Sequence, residues 1–183
     1  TTHNFEYDGV WINASPTVHF SVSRTQDESG IGAVFIRLGD ELSAGNSITI
    51  EDEGITEVGY WSRDEAGNSE AEKQLSVQLD TTGPELRHPD FVSGTEHAAP
   101  VTVSFGAVDA LSGVVETWYQ VTGGEKVAGT QVTFAVQGYH AFTIGALDRA
   151  GNEVTEALSI RVSDAPDGED GTDVEDDAGL GVD

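Results

Sequence analysis

Residues 140–162, HAFTIGALDRAGNEVTEALSIRV, decide the fold of this chain. Phe142 and Ile144 alternate with less apolar neighbours, the run breaks at Asp148-Arg149-Ala150-Gly151-Asn152, and a further strand-like run follows over 154–162. Alternation with a period of two marks a strand with one buried face. The break is built from turn formers: a short Asp side chain accepts backbone N–H bonds across a turn, Gly takes positive φ, and Asn tolerates it. The segment therefore reads as two antiparallel strands joined by a stapled turn.

The same turn occurs earlier, as Asp64-Glu65-Ala66-Gly67-Asn68, at an offset of 84. Gly54 matches Gly138 at that offset, while Val18-His19-Phe20-Ser21-Val22 matches Val101-Thr102-Val103-Ser104-Phe105 and Ser29-Gly30-Ile31 matches Ser112-Gly113-Val114 at 83. One residue of slippage means one loop insertion, so the chain reads as two copies of one unit, 1–81 and 82–165, followed by a tail at 166–183.

Within each copy the alternation continues. Val34, Ile36 and Leu38 share one parity, as do Val58 and Tyr60, and in the second copy Val101, Val103 and Phe105, then Thr117, Tyr119 and Val121. For that copy the pattern predicts strands near 85–88 and over 101–107, 114–121, 131–136, 140–147 and 154–162, with a short edge strand after Gly123-Gly124. No run has helical periodicity. About seven strands per copy, with turns every 8 to 12 residues, predict an all-β chain of two tandem immunoglobulin-like antiparallel β-sandwiches plus an acidic C-terminal tail.

Several motifs in order strengthen this. Trp11, then Ser15-Pro16-Thr17-Val18 opening a strand, an acid followed by Ser-Gly-Ile or Ser-Gly-Val, the Asp-x-Ala-Gly-Asn turn and a closing Asp80-Thr81-Thr82-Gly83-Pro84 resemble bacterial-type immunoglobulin-like repeats of extracellular proteins. The resemblance implies the sandwich fold and an extracellular or cell-surface location. Modules of this class serve as spacers, adhesin stalks, surface-layer pieces and accessory domains of secreted enzymes. The second copy departs by closing on Asp164-Ala165-Pro166 and running into the acidic tail, so a further repeat after it is not indicated.

Charge narrows the partners. The 183 residues carry 33 Asp and Glu against 8 Lys and Arg, a net charge of −25. Such a surface repels phosphate backbones and anionic head groups, so no nucleic-acid partner is expected. No apolar run approaches 18 residues, so no membrane insertion is expected either. There is no cysteine, which removes disulfides and thiolate chemistry. The chain opens on Thr1 with no visible signal peptide and reads as a mature chain or a piece of something longer. The acids are uneven: 15 with 4 bases over residues 1–82, 9 with 4 over 83–163, and 9 with no base over 164–183. Acidity concentrated toward the two ends favours cation binding or end-to-end electrostatics over a uniform high-salt surface.

Candidate sites follow from topology. In an immunoglobulin sandwich the loops between the second and third strands and between the last two strands lie at the end where the first strand enters. In the second copy that end faces the first copy. Asp109, Asp148 and Asn152 in those loops and Asp80 in the linker would therefore meet at the junction as hard oxygen ligands for Ca²⁺, stiffening the inter-domain angle as in cadherin-type chains. The first copy has Gln26 in place of Asp109, with Asp27 beside it, which favours the junction over the free end. The plainer reading makes Asp64 and Asp148 turn staples only. In the tail, Asp167, Asp170, Asp173, Asp176 and Asp177 with interspersed glycines would wrap a cation, in a composition similar to the start of thrombospondin type 3 calcium repeats. The EF-hand pattern is absent, and a solvated acidic linker is the plainer reading.

Aromatics supply another class of site. Phe35, Trp61 and Trp118 take the parity opposite to the core set, which predicts an exposed platform for sugar rings or a partner protein. Catalysis has little support: the five histidines lack metal-site spacing, and no nucleophile elbow, zinc motif or phosphate loop is present. The sequence therefore predicts a non-catalytic structural or adhesive module of an extracellular cell-surface protein, with Ca²⁺ as the rigidifying ion, whose partners are other domains or subunits of that protein, or glycan. The alternatives are a carbohydrate-binding accessory region of a secreted hydrolase and a subunit of a surface filament or surface layer.

Overall fold

A computed structural model describes residues 1–3, 9–23 and 30–164, and these are all-β with no helix. The tail positions Asp167, Asp170, Asp173, Asp176 and Asp177 lie outside the described residues, as do Gln26 and Asp27. The first seven strands are β1 (Thr2–His3), β2 (Thr17–Ser21), β3 (Ile31–Leu38), β4 (Glu41–Ala44), β5 (Ser47–Thr49), β6 (Gly54–Asp64) and β7 (Lys73–Leu79). They pair only among themselves, in sheets of order β1-β2-β5 and β4-β3-β6-β7.

The remaining nine are β8 (Glu85–Arg87), β9 (Glu96–Ala98), β10 (Val101–Ser104), β11 (Gly106–Val108), β12 (Val114–Val121), β13 (Val127–Ala128), β14 (Gln131–Phe134), β15 (Gly138–Asp148) and β16 (Glu153–Ser163). β10 and β11 are one run interrupted at Phe105, pairing with β14 and β8 respectively. The facing sheet has the order β13-β12-β15-β16-β9, antiparallel except for the β16–β9 pair. Both groups thus place a short-strand layer against a longer one in the strand order of an immunoglobulin-like sandwich. Each also carries a register shift at the start of its third major strand, between Ile31 and Ala33 and between Val114 and Glu116.

The alternation read from the sequence is the alternation of burial. In β2, Val18 and Phe20 are buried while Thr17, His19 and Ser21 face out; in β14, Val132 and Phe134 are buried. There are two separate apolar cores. Val18, Phe20, Ile36, Ile50, Val58, Tyr60, Leu75, Val77 and Leu79 form one. Phe91, Val103, Phe105, Val132, Phe134, Phe142, Ile144, Leu158, Ile160 and Val162 form the other. Each draws residues from both of its layers, and that burial is the main force holding the layers together. β9 is an addition to the predicted strands: Glu96, His97 and Ala98 pair in parallel with Arg161, Val162 and Ser163.

Candidate functional site

The segment from Asp80 to Gly83 joins the two strand groups and is held from both sides. From the first group, the exposed Glu53 carboxylate accepts bonds from the Thr81 amide (2.8 Å) and the Thr82 hydroxyl (2.9 Å), and also from the Thr81 hydroxyl. The Thr81 and Thr82 bonds hold the Glu53 carboxyl below its ordinary pKa. From the second group, Asn152 Nδ2 donates to the carbonyls of Asp80 (2.8 Å) and Thr82 (3.3 Å). Asn13, after the short bridge of Ile12 to Leu79, lies beside Gly151: a Cβ on that glycine would come within 3.5 Å of Asn13 Nδ2.

The two Asp-x-Ala-Gly-Asn turns are stapled alike. Asn68 donates its amide and its Nδ2 to Asp64 at 2.7 and 2.8 Å, and Asn152 donates the same groups to Asp148 at 2.8 and 2.8 Å. Gly67 and Gly151 take φ of 93° and 94°, where glycine alone is unstrained. The staple reading of Asp148 is therefore satisfied in full, and largely through one oxygen: Oδ1 takes the Gly151 and Asn152 amides. Asp109 follows the same economy, with Oδ1 taking the amides of Leu111 (3.1 Å) and Gly113 (2.6 Å). Asp80 spreads its two bonds, Oδ1 accepting from Thr82 N at 3.1 Å and Oδ2 from Ser112 N at 3.0 Å across the seam.

These three carboxylates converge. One oxygen from each of Asp80, Asp109 and Asp148 lies within 4.8 Å of the other two. Asp80 is fully buried, Asp148 is 2% exposed and Asp109 is half-buried. Among the described residues no Lys, Arg or His pairs with any of them; their partners are backbone amides and the Asn152 side chain. Three anions this close repel by at least about 3 kcal/mol per pair at an effective dielectric near ~20, and a dication among them reverses the sign. The donor set suits a hard cation: carboxylate oxygens from three segments, with neither sulfur nor imidazole. A cleft of about 260 Å³ opens beside it, lined by Glu53, Asp80, Glu85 and Asp109, with Val108 and Leu111 on its apolar side.

The structure adds a bracing role for one sequence-predicted site residue and corrects the placement of another. Asn152, expected as a ligand, points Nδ2 at Asp148 Oδ2 and at two carbonyls, so its amide group braces the linker to the turn. Trp118, expected on an exposed platform, is 5% exposed. It pairs across the sheet with Gly145 and lies over that residue, where a Cβ would stand 2.3 Å from the indole; Lys126 Nζ sits 4.2 Å from its ring centroid on top. Phe35 and Trp61 are cross-strand partners with rings 5.5 Å apart and 19° from coplanar, both half-buried, and the Arg63 guanidinium lies 5.1 Å over the Phe35 ring. Sequence reasoning missed Glu53, whose only signal is its place just before Gly54, and Ser112, which sits inside the Ser-Gly motif used only to align the copies.

No family model matches the chain, and no curated protein sequence matches it. Solved structures do resemble it. Fibronectin(III)-like modules of Clostridium thermocellum CbhA align over 85% of this chain and 88% of theirs, at 14% identity and a TM-score of 0.43. The D00-D0 domain of Intimin aligns over 87% of this chain and 98% of its own, at 11% identity and a TM-score of 0.44. Drosophila N-cadherin EC1-3 aligns over 85% and 63%, at 15% identity and a TM-score of 0.33.

Proposed function

We propose that the chain is a non-catalytic structural or adhesive segment of an extracellular cell-surface protein, two immunoglobulin-like modules fixed relative to one another by Ca²⁺ at the seam. The observation that carries this reading is the convergence of Asp80, contributed by the linker, with Asp109 and Asp148, contributed by two loops of the second strand group. A cation held by all three ties the linker to both loops, and only the joined chain presents all three ligands. The bracing by Glu53 and Asn152 supports it, since it brings the linker to the loops before any ion is counted. The acidic composition supplies the carboxylate oxygens that Ca²⁺ prefers. A glycan platform has less support, because Trp118 is covered and Phe35 is capped by Arg63.

Thermal melting in CaCl₂ and in EDTA tests the reading. An ion at 100 times its Kd adds about 2.7 kcal/mol to the stability of the form that binds it. Asp109→Asn, which keeps the shape and removes one of the three mutually repelling charges, is expected to melt at or above the wild type in EDTA and to lose the rise in CaCl₂. A wild-type Tm indifferent to both reagents would refute the cation reading.

A further inference from the structure

Ser112 has a feature that neither the turn nor the carboxylate cluster uses. It is 2% exposed, its amide donates to Asp80 Oδ2 at 3.0 Å, and its carbonyl accepts Arg149 Nη1 at 2.8 Å. Its hydroxyl is buried and has no hydrogen-bond partner among the described residues. A buried hydroxyl left unpaired destabilises the fold that contains it, so an orphan of this kind calls for a partner. Ser112 lies between Asp109 and Gly113, the two ends of the Asp109 staple, and its backbone is bonded to the third carboxylate of the cluster. The hydroxyl oxygen is a hard donor of the type Ca²⁺ takes alongside carboxylates.

The makeup of the cluster separates the two common hard dications. Ca²⁺ takes about six to eight oxygens in flexible geometry, several of them carboxylates, whereas Mg²⁺ demands a near-ideal octahedron and is usually bound through one or two carboxylates. Here three carboxylates converge. Each Asp is pinned by two or more hydrogen bonds to backbone or side-chain N–H groups, which resists rearrangement into the strict octahedron Mg²⁺ demands. Mg²⁺ also gives up its waters reluctantly, and two of the three carboxylates are buried.

We infer that the Ser112 hydroxyl is a fourth protein ligand at the seam and that the site selects Ca²⁺ over Mg²⁺, an inference that rests on the cation reading above. The consequence for Ser112→Ala is a crossing of effects. Without metal the variant sheds an unpaired buried hydroxyl and melts at or above the wild type. With Ca²⁺ it loses a ligand and its affinity falls about tenfold or more, the scale on which a metal site responds when a supporting group is removed. A serine that only shapes the turn moves both melts in one direction.

The experiment is isothermal titration of the full chain, and of Ser112→Ala, with CaCl₂ and separately with MgCl₂ to about 1 mM, the range of extracellular Ca²⁺ modules, with EDTA melts of both proteins. The expected result is Ca²⁺ binding by the wild type, at least tenfold weaker Mg²⁺ binding, and weaker Ca²⁺ binding by Ser112→Ala with its EDTA melt intact. Equal affinity for the two ions, or unchanged Ca²⁺ affinity in Ser112→Ala, overturns the inference and leaves the cation reading standing. Binding of neither ion by the wild type overturns both.

Discussion

Replacing Gly145 by alanine adds one methyl group to a place already filled. The new Cβ would stand 2.3 Å from Cε2 and Cζ2 of Trp118, far inside van der Waals contact, and the conflict is with a rigid ring. Trp118 is 5% exposed, so moving it re-exposes most of its surface. A tryptophan buries about 150–250 Å², which at ~25 cal/mol per Å² corresponds to about 4–6 kcal/mol for complete expulsion. The Lys126 ammonium over the ring adds about 1 kcal/mol to the loss. Against this, the indole N–H is buried without a partner, and its return to water recovers about 1–3 kcal/mol. The net expectation is a destabilisation of about 2–6 kcal/mol, which lowers Tm by about 10 °C or more for a unit of this size. Urea unfolding followed by circular dichroism gives the stability, and the emission maximum of the folded protein, shifted to the red, shows the ring displaced. The reasoning also requires that Gly145→Ala cost little in a Trp118→Leu background, because the clash is then gone. An unshifted spectrum with stability within about 0.5 kcal/mol of wild type would mean that Trp118 does not cover Gly145.

Two further outcomes follow from the geometry. Burial pulls the His88 imidazole pKa down, but hydrogen bonds to the Phe91 carbonyl and to Glu156, 3.2 Å away, outweigh it and hold the group above its ordinary value. Its stabilisation is therefore present below about pH 6.5 and is lost as pH rises through the raised folded value; His88→Gln should flatten that part of the urea-midpoint profile, by under about 1 kcal/mol because the pair is partly solvated. Gly113 has φ of +80° and donates its amide to Asp109 Oδ1, so Gly113→Ala should cost about 1–2 kcal/mol in urea unfolding. A cost near zero would show that the Ser-Gly turn relaxes freely.

How much of this is legible in the sequence depends on which rule carries each residue. Parity placed Val18, Phe20, Ile36, Val58 and Tyr60 inward, because strand side chains alternate whatever the loops do. The same parity put Trp118 on the outer face, where it is, but parity says nothing about what covers an outer face. Its cover comes from Gly145 one strand away and Lys126 after the next turn, and only the register reveals both. β9 was illegible for a different reason: Glu96-His97-Ala98 has no apolar alternation, and its strand state is conferred by the neighbouring edge of β16. The meeting of Asp80 with Asp109 and Asp148 was deducible from loop topology, whereas the amide orientation of Asn152 depends on hydrogen-bond partners 70 or more residues away in sequence. Ser112 carries no signal at all in one dimension, since an unpaired hydroxyl is defined by what surrounds it.

The staple in which Asp148 commits mainly one oxygen to its own turn has a further consequence. Both copies carry that turn, yet Asp80 reaches only the later one, so counting the motif overstates the number of sites it can make. Whether such an aspartate does anything besides hold its turn is decided by the segment that precedes its module. Severing the chain after Thr81, where the two copies meet, would leave each core intact and divide the cluster, with Asp80 on one fragment and Asp109 and Asp148 on the other. The seam therefore records connectivity: it exists only where these two pieces are spliced in this order, and shuffling the same modules would erase it without altering either fold.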